Sequence, residues 1–142
     1  MKRVVLDTNV TISAFFWGGY PRLIYDQIRE RKLVMLLSNE LEKEFIRVLG
    51  YSKFGLATKE IPIFIRNLRA NAEFVETRTK VSVIVTDPTD NIFIECAVDG
   101  SADYIISGDR HLFDLGKYAG IQILKAKEFL IKEGVIAESQ NP

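Results

Sequence analysis

The feature that most restricts how this chain can fold is its alternation of short apolar runs with segments of helical period. Val4-Val5-Leu6, Leu33 to Leu37, Tyr104-Ile105-Ile106 and Ile121-Gln122-Ile123-Leu124 read as strands, the first three apolar throughout as burial on both faces requires. Between them, Tyr20 to Arg31 carries Leu23, Ile24 and Ile28 at helical spacing. Ser38 is a good N-cap for a helix running to about Leu49, and Thr58 starts a longer one with Ile61, Ile65, Leu68 and Ala72 along one side. Asp87-Pro88-Thr89 opens a helix through Val98, His111 to Tyr118 forms a short one, and Ala126 to Glu133 the last. Glu73 to Thr86 reads as extended, with no evident pairing. This alternation predicts an α/β fold: a three-layer α/β/α sandwich around a central, mostly parallel sheet.

The 142 residues suit a single domain spanning 1–142, with 134–142 as a frayed tail. Hydrophobic residues are 47% and charged residues 27%, which supports a packed core and excludes a disordered chain. Cys96 is the only cysteine, which excludes an intrachain disulfide and a cysteine-only metal site. The longest apolar run, Leu33 to Leu37, falls far short of the ~20 residues of a membrane helix. The apolar part of the N-terminus is also too short for a secretory signal. A cytoplasmic protein with no membrane partner is expected.

In open parallel sheets, ligands bind beyond the carboxyl ends of the strands, and three acids fall there by sequence alone. Asp7 follows the first strand directly, Asp109 follows the third after Ser107 and Gly108, and Asp90 lies in a first helical turn, four residues before Ile94. The helix begun at Ser38 adds a fourth. Glu42 and Glu44 both border its apolar stripe of Leu41, Phe45, Val48 and Leu49, one on each side, so periodicity does not choose between them.

Four converging carboxylates repel one another unless their pKa values rise or cations bind. Hard oxygen donors suit Mg²⁺ or Mn²⁺, and with His111 the only histidine and Cys96 the only cysteine a conventional zinc site is not expected. Two such ions about 3.5–4 Å apart suit in-line displacement at phosphorus. Equal numbers of basic and acidic residues, 19 each, lack the basic excess of many nucleic-acid binders. Setting four acids aside leaves a positive remainder, however, with Arg22, Arg29, Arg31, Lys32, Arg66, Arg69, Arg78 and Lys80 as candidate phosphate contacts.

Asp7-Thr8-Asn9-Val10, the Ser38 to Leu49 segment with Glu44 inside it, Asp87-Pro88-Thr89-Asp90-Asn91 and Ser107-Gly108-Asp109-Arg110-His111-Leu112 resemble the motifs of the PIN-domain ribonucleases. More narrowly, they resemble the compact VapC-like toxins of toxin–antitoxin systems. The resemblance runs from Val4 to about Leu130. It implies a PIN-like α/β/α fold and an endoribonuclease dependent on one or two Mg²⁺ or Mn²⁺ ions. It also implies an RNA substrate, a separately encoded antitoxin and a homodimer.

By the same resemblance Asp7, Glu44, Asp90 and Asp109 are the catalytic and metal-holding acids, which favours Glu44 over Glu42. Thr8, Asn9 and Ser107 would orient carboxylates or water, and Asp87 would be a peripheral ligand or a turn-former. Trp17, Arg110 and His111 are candidate substrate contacts, against a plainer use of Phe15 and Phe16 in packing. Two rivals remain at this point. A haloacid-dehalogenase-like phosphatase would use Asp7 and Gly108-Asp109 with Asp114, although Asn9 stands where it needs a second acid. A non-catalytic PIN-like scaffold for RNA or a partner would be expected to have lost one or more of the acids.

Overall fold

Val4, Val5 and Leu6 are screened from solvent on both sides because their strand, β1 (Lys2–Leu6), lies in the middle of the sheet. The computed structural model describes residues 1–51, 59–84 and 87–138. Among these, β2 (Leu33–Leu37), β3 (Ala72–Phe74), β4 (Tyr104–Ile106), β5 (Lys117–Tyr118) and β6 (Ile121–Leu124) join β1 in the order β3-β2-β1-β4-β6-β5. Every pairing is parallel except β5 with β6. The expected α/β sandwich is therefore what the chain adopts. From β1 the chain moves outward through β2 to β3, then returns to lay β4 on the other side of β1. The order reverses between β1 and β4, and that crevice is where such sheets bind ligands.

Seven helices cover the sheet among the described residues: α1 (Thr8–Phe16), α2 (Gly19–Arg29), α3 (Asn39–Leu49), α4 (Glu60–Asn71), α5 (Asn91–Asp99), α6 (Arg110–Leu115) and α7 (Ala126–Lys132). The first of these is absent from the sequence reading. Thr8, Val10, Thr11 and Ile12 are β-branched and weak helix formers, but the Asp7 side chain caps the helix and Val10, Ile12 and Ala14 enter the core. Burial overrides propensity here. Gly18 and Gly19, at φ +96° and +69°, then turn the chain into α2 through backbone conformations that other residues rarely adopt.

Phe64 of α4 is fully buried and gathers an aromatic cluster, with Phe15 edge-on at 4.9 Å between ring centroids, Phe16 at 5.5 Å and Phe45 at 6.4 Å. Phe15 and Phe16 thus pack as expected.

The expected helix from His111 to Tyr118 stops early. Gly116 takes φ +72° and ends α6, and the next two residues pair with β6 as β5. Asp87 opens a single 3₁₀ turn (Pro88–Asp90) before α5 proper begins. The expected helix start at Thr58 and the end of the extended stretch at Thr86 lie outside the described residues. Of the tail expected to fray, Val135 and Ile136 pack against the core, with the Val135 N–H bonded to the Leu130 carbonyl at 2.9 Å. Residues 139–142 lie outside the described residues. No described helix is long and apolar enough to cross a membrane.

The buried Ser38 side chain accepts a hydrogen bond from the Leu41 N–H at 3.2 Å and so starts α3, the helix that carries Glu44. Ser38→Ala leaves that N–H buried without a partner. It is expected to lower stability by about 1 kcal/mol, read as a lower urea midpoint at unchanged m-value. An unchanged midpoint would show that the cap contributes nothing.

Candidate active site

Asp7 and Asp109 are placed by the same local rule, since each is the N-cap of the helix that follows its strand. One oxygen of Asp7 accepts from the Val10 N–H at 2.8 Å, and one oxygen of Asp109 accepts from the His111 N–H at 2.9 Å. Ser107 ties the two together. Its hydroxyl donates to the other oxygen of Asp7 and accepts from the Asp109 backbone N–H at 2.9 Å. The ends of β1 and β4 are thereby joined at the crevice by side chains as well as by the sheet.

Asp90 ends the 3₁₀ turn, with one carboxylate oxygen buried and no hydrogen-bond partner. The buried Thr8 hydroxyl is also unpartnered. Asp87 accepts from the Thr89 N–H at 3.3 Å and the Thr89 hydroxyl at 2.5 Å, so it forms the turn that positions Asp90. Glu44 comes from the middle of α3, where the Arg47 guanidinium grips both of its oxygens, each at 2.9 Å.

These acids share one cavity of about 200 Å³, lined by Asp7, Glu44, Asp87, Asp90 and Asp109 together with Thr8, Asn9 and Thr89. Arg47, Val48, Tyr51 and Phe93 complete the wall.

Burial, and then the charges of Asp109, Asp87 and Asp7, push the Asp90 carboxyl up to about 7. Asp7, only 3% exposed, is raised chiefly by burial, against the bonds it receives from Ser107 and Val10. An unpartnered carboxylate oxygen among like charges is what a bound cation would relieve, and an all-oxygen donor set suits Mg²⁺ or Mn²⁺. The residues fit such an ion chemically. Among the described residues, however, no three His, Cys, Asp or Glu side chains stand close enough to hold one as placed.

A family model of the PIN domain matches residues 3–111. The chain belongs to the PIN-domain family. PIN domains are in general nucleases, hydrolases of nucleic acid that use divalent metals. The structure is similar to the crystal structure of PAE2754 from Pyrobaculum aerophilum. The two are 14% identical, with a TM-score of 0.59 over 96% of this chain and 91% of that one, a likeness of fold. No curated protein matches the sequence significantly.

Within this PIN domain, Asp7, Thr8, Asn9, Glu44, Asp87, Asp90 and Asp109 line the cavity, and Ser107, outside the lining, is bonded to two of them. Three expected contacts stand outside the lining: Trp17, 58% exposed at the end of α1, Arg110, which pairs with Asp114 at 3.5 Å, and His111. The structure separates the two glutamates that periodicity left tied. Glu42 lines a different groove and is bonded through both oxygens to Arg69.

None of the cations singled out in the sequence lines the cavity. Arg22 is used on the Ala14 and Phe15 carbonyls, Arg29 on Asp26 and Arg69 on Glu42. Arg47 and Tyr51, which do line it, were missed. The available signal was their spacing, since Arg47 falls three residues after Glu44 and Tyr51 four after Arg47.

The raised Asp90 carboxyl has a consequence for stability. The unfolded chain ionises this group near pH 4 and the native one near 7. Between those values the native state binds more protons, so this group's contribution falls as pH rises. Asp90→Asn removes the penalty. In EDTA its melting temperature should exceed that of the unsubstituted protein at pH 8, and the two should converge towards pH 4. An equal difference at every pH would show that Asp90 carries no such penalty.

Proposed function

We propose that this PIN domain is a Mg²⁺- or Mn²⁺-dependent endoribonuclease and the toxin of a toxin–antitoxin pair. The observation that carries the enzymatic reading is the gathering of Asp7, Glu44, Asp90 and Asp109 around one cavity at the reversal point of the sheet. The toxin role is supported by the motif resemblance, with which a separately encoded antitoxin and a homodimer are expected.

When bound, the divalent cation supplies the Lewis acidity that activates water and offsets charge gathering on phosphoryl oxygens during in-line displacement. The chain's own residues do the rest. Asp7 and Asp109 are held rigid by their caps and by Ser107 and present carboxylate oxygens in fixed directions. Asp90 contributes an oxygen already stripped of partners, and Thr8 a hydroxyl in the same condition. No histidine, cysteine or lysine is among the described lining residues, which supports water as the nucleophile; a 5′-phosphate product is what the motif resemblance implies. Against the phosphatase reading, Asp114, the last acid it would use, sits at the surface paired with Arg110 and outside the cavity lining.

Labelled single-stranded RNA incubated with EDTA-treated protein should be cut only when Mn²⁺ is restored, and Asp7→Asn or Asp90→Asn should lower the rate at least about 100-fold. Binding of RNA with no cutting under any metal would favour the scaffold. Phosphate release from small phosphoesters would favour the phosphatase.

Glu44→Gln should impair cleavage while Glu42→Gln leaves it nearly unchanged, since Glu42 faces Arg69 away from the cavity. The reverse result in the same RNA assay would move the fourth acid to Glu42.

A further inference from the structure

Arg47 is the one basic residue among the described residues lining the cavity, and it is spent on a member of the acid set. Its planar fork covers both oxygens of Glu44, and its other nitrogen donates to the Tyr51 hydroxyl, with the guanidinium 5.5 Å from the Tyr51 ring centroid. A carboxylate engaged in this way offers a cation a weaker negative potential than a free one. Yet the Arg47 side chain is 53% exposed, and solvent-exposed ion pairs are easily exchanged.

The rest of the charged lining is acidic and repels a phosphodiester backbone. A guanidinium is the side chain whose geometry best matches phosphate oxygens, and Arg47 already stands at the wall the backbone must cross. Tyr51 gives it a second anchor, so leaving Glu44 does not send it into bulk solvent.

We propose that Arg47 is an exchangeable latch: it holds Glu44 until that carboxylate turns to a divalent cation, and then receives a phosphate of the RNA backbone. This rests on the metal-dependent reading above. It gives the site an order of assembly, because Glu44 and the RNA draw on the same guanidinium in alternation. Cation and RNA binding are then positively coupled through Arg47, and by linkage each tightens the other by the same factor.

Three proteins decide the matter: the unsubstituted full chain, Arg47→Gln, and Lys43→Gln, which removes an equal charge from the same helix outside the cavity. Calorimetric titration of Mn²⁺ without nucleic acid should show about five-fold tighter binding in Arg47→Gln and less than about two-fold change in Lys43→Gln. Fluorescence anisotropy in EDTA should show Arg47→Gln binding single-stranded RNA as well as the unsubstituted protein, because there Arg47 is held by Glu44. With Mn²⁺ present, Arg47→Gln should raise KM for RNA about five-fold and move kcat much less.

Unchanged Mn²⁺ affinity in Arg47→Gln overturns the latch. Equal tightening in both variants also overturns it, because that is a general charge effect. An equally large loss of RNA affinity in EDTA overturns it too, by making Arg47 a permanent phosphate contact. If the unsubstituted protein neither binds Mn²⁺ nor cuts RNA, the nuclease reading itself falls, a result distinct from the other three.

Discussion

The carboxylate of Asp7 sits where three parts of the molecule meet. It ends the central strand, caps α1 and accepts the Ser107 hydroxyl from the end of β4. A buried carboxylate is expensive unless its oxygens are satisfied, and here both are engaged by groups from different parts of the chain. One bond starts α1, and the other joins the end of β1 to the end of β4 at the sheet's reversal point, alongside the backbone ladder that sets their register. The same two bonds keep the side chain in one rotamer facing the cavity. One set of contacts therefore serves the fold and the site together.

Around this anchored group the remaining acids are arranged in order of decreasing constraint. Asp109 is fixed by its cap, Asp90 is positioned by a turn with one oxygen unpartnered, and Glu44 is held by an exposed arginine. Crowding like charges in a half-buried cavity costs stability, and burial with three neighbouring aspartates drives the Asp90 carboxyl towards neutrality. Such opposition between stability and chemistry is common at functional sites. It is tolerable here because the strain sits at the edge of a well-packed sheet and outside its core.

What could be read from the sequence follows from how local each signal is. β1, β2 and β4 were legible because both faces are buried, which leaves an uninterrupted apolar run. The start of α3 was legible because a serine cap is a short-range signal. Asp7, Asp90 and Asp109 were legible as acids just beyond strands or opening helices. The helix α1 was hidden because its β-branched residues fold as a helix only through burial. The choice between Glu42 and Glu44 depends on which way α3 is rolled against its neighbours, a tertiary fact. Arg47 escaped notice for the same reason, since only the orientation of α3 makes it a wall of the cavity.

The stretch after β3 gave no pairing signal for a different reason: beyond Val75, whose N–H reaches the Leu37 carbonyl of β2 at 2.8 Å, its described backbone bonds mainly to side chains of α5. Asn91, Glu95 and Asp99 recur every fourth residue along α5, and each bonds successive parts of this strap. Asp99 accepts from the N–H groups of Arg78 and Thr79 and Glu95 from that of Val81, while Asn91 accepts from the Ile84 N–H and donates to the Ile84 carbonyl. A polar row of this kind works like the teeth of a key. If α5 slid along its axis by one residue or rolled by a fraction of a turn, every tooth would leave its slot, and the buried amide of Ile84 would be left without a partner. The helix that begins beside Asp90 is thus indexed in depth and rotation by a segment with almost no regular structure of its own. Substitutions in that plain-looking strap are a route by which the position of a carboxylate in the cavity can be changed from a distance.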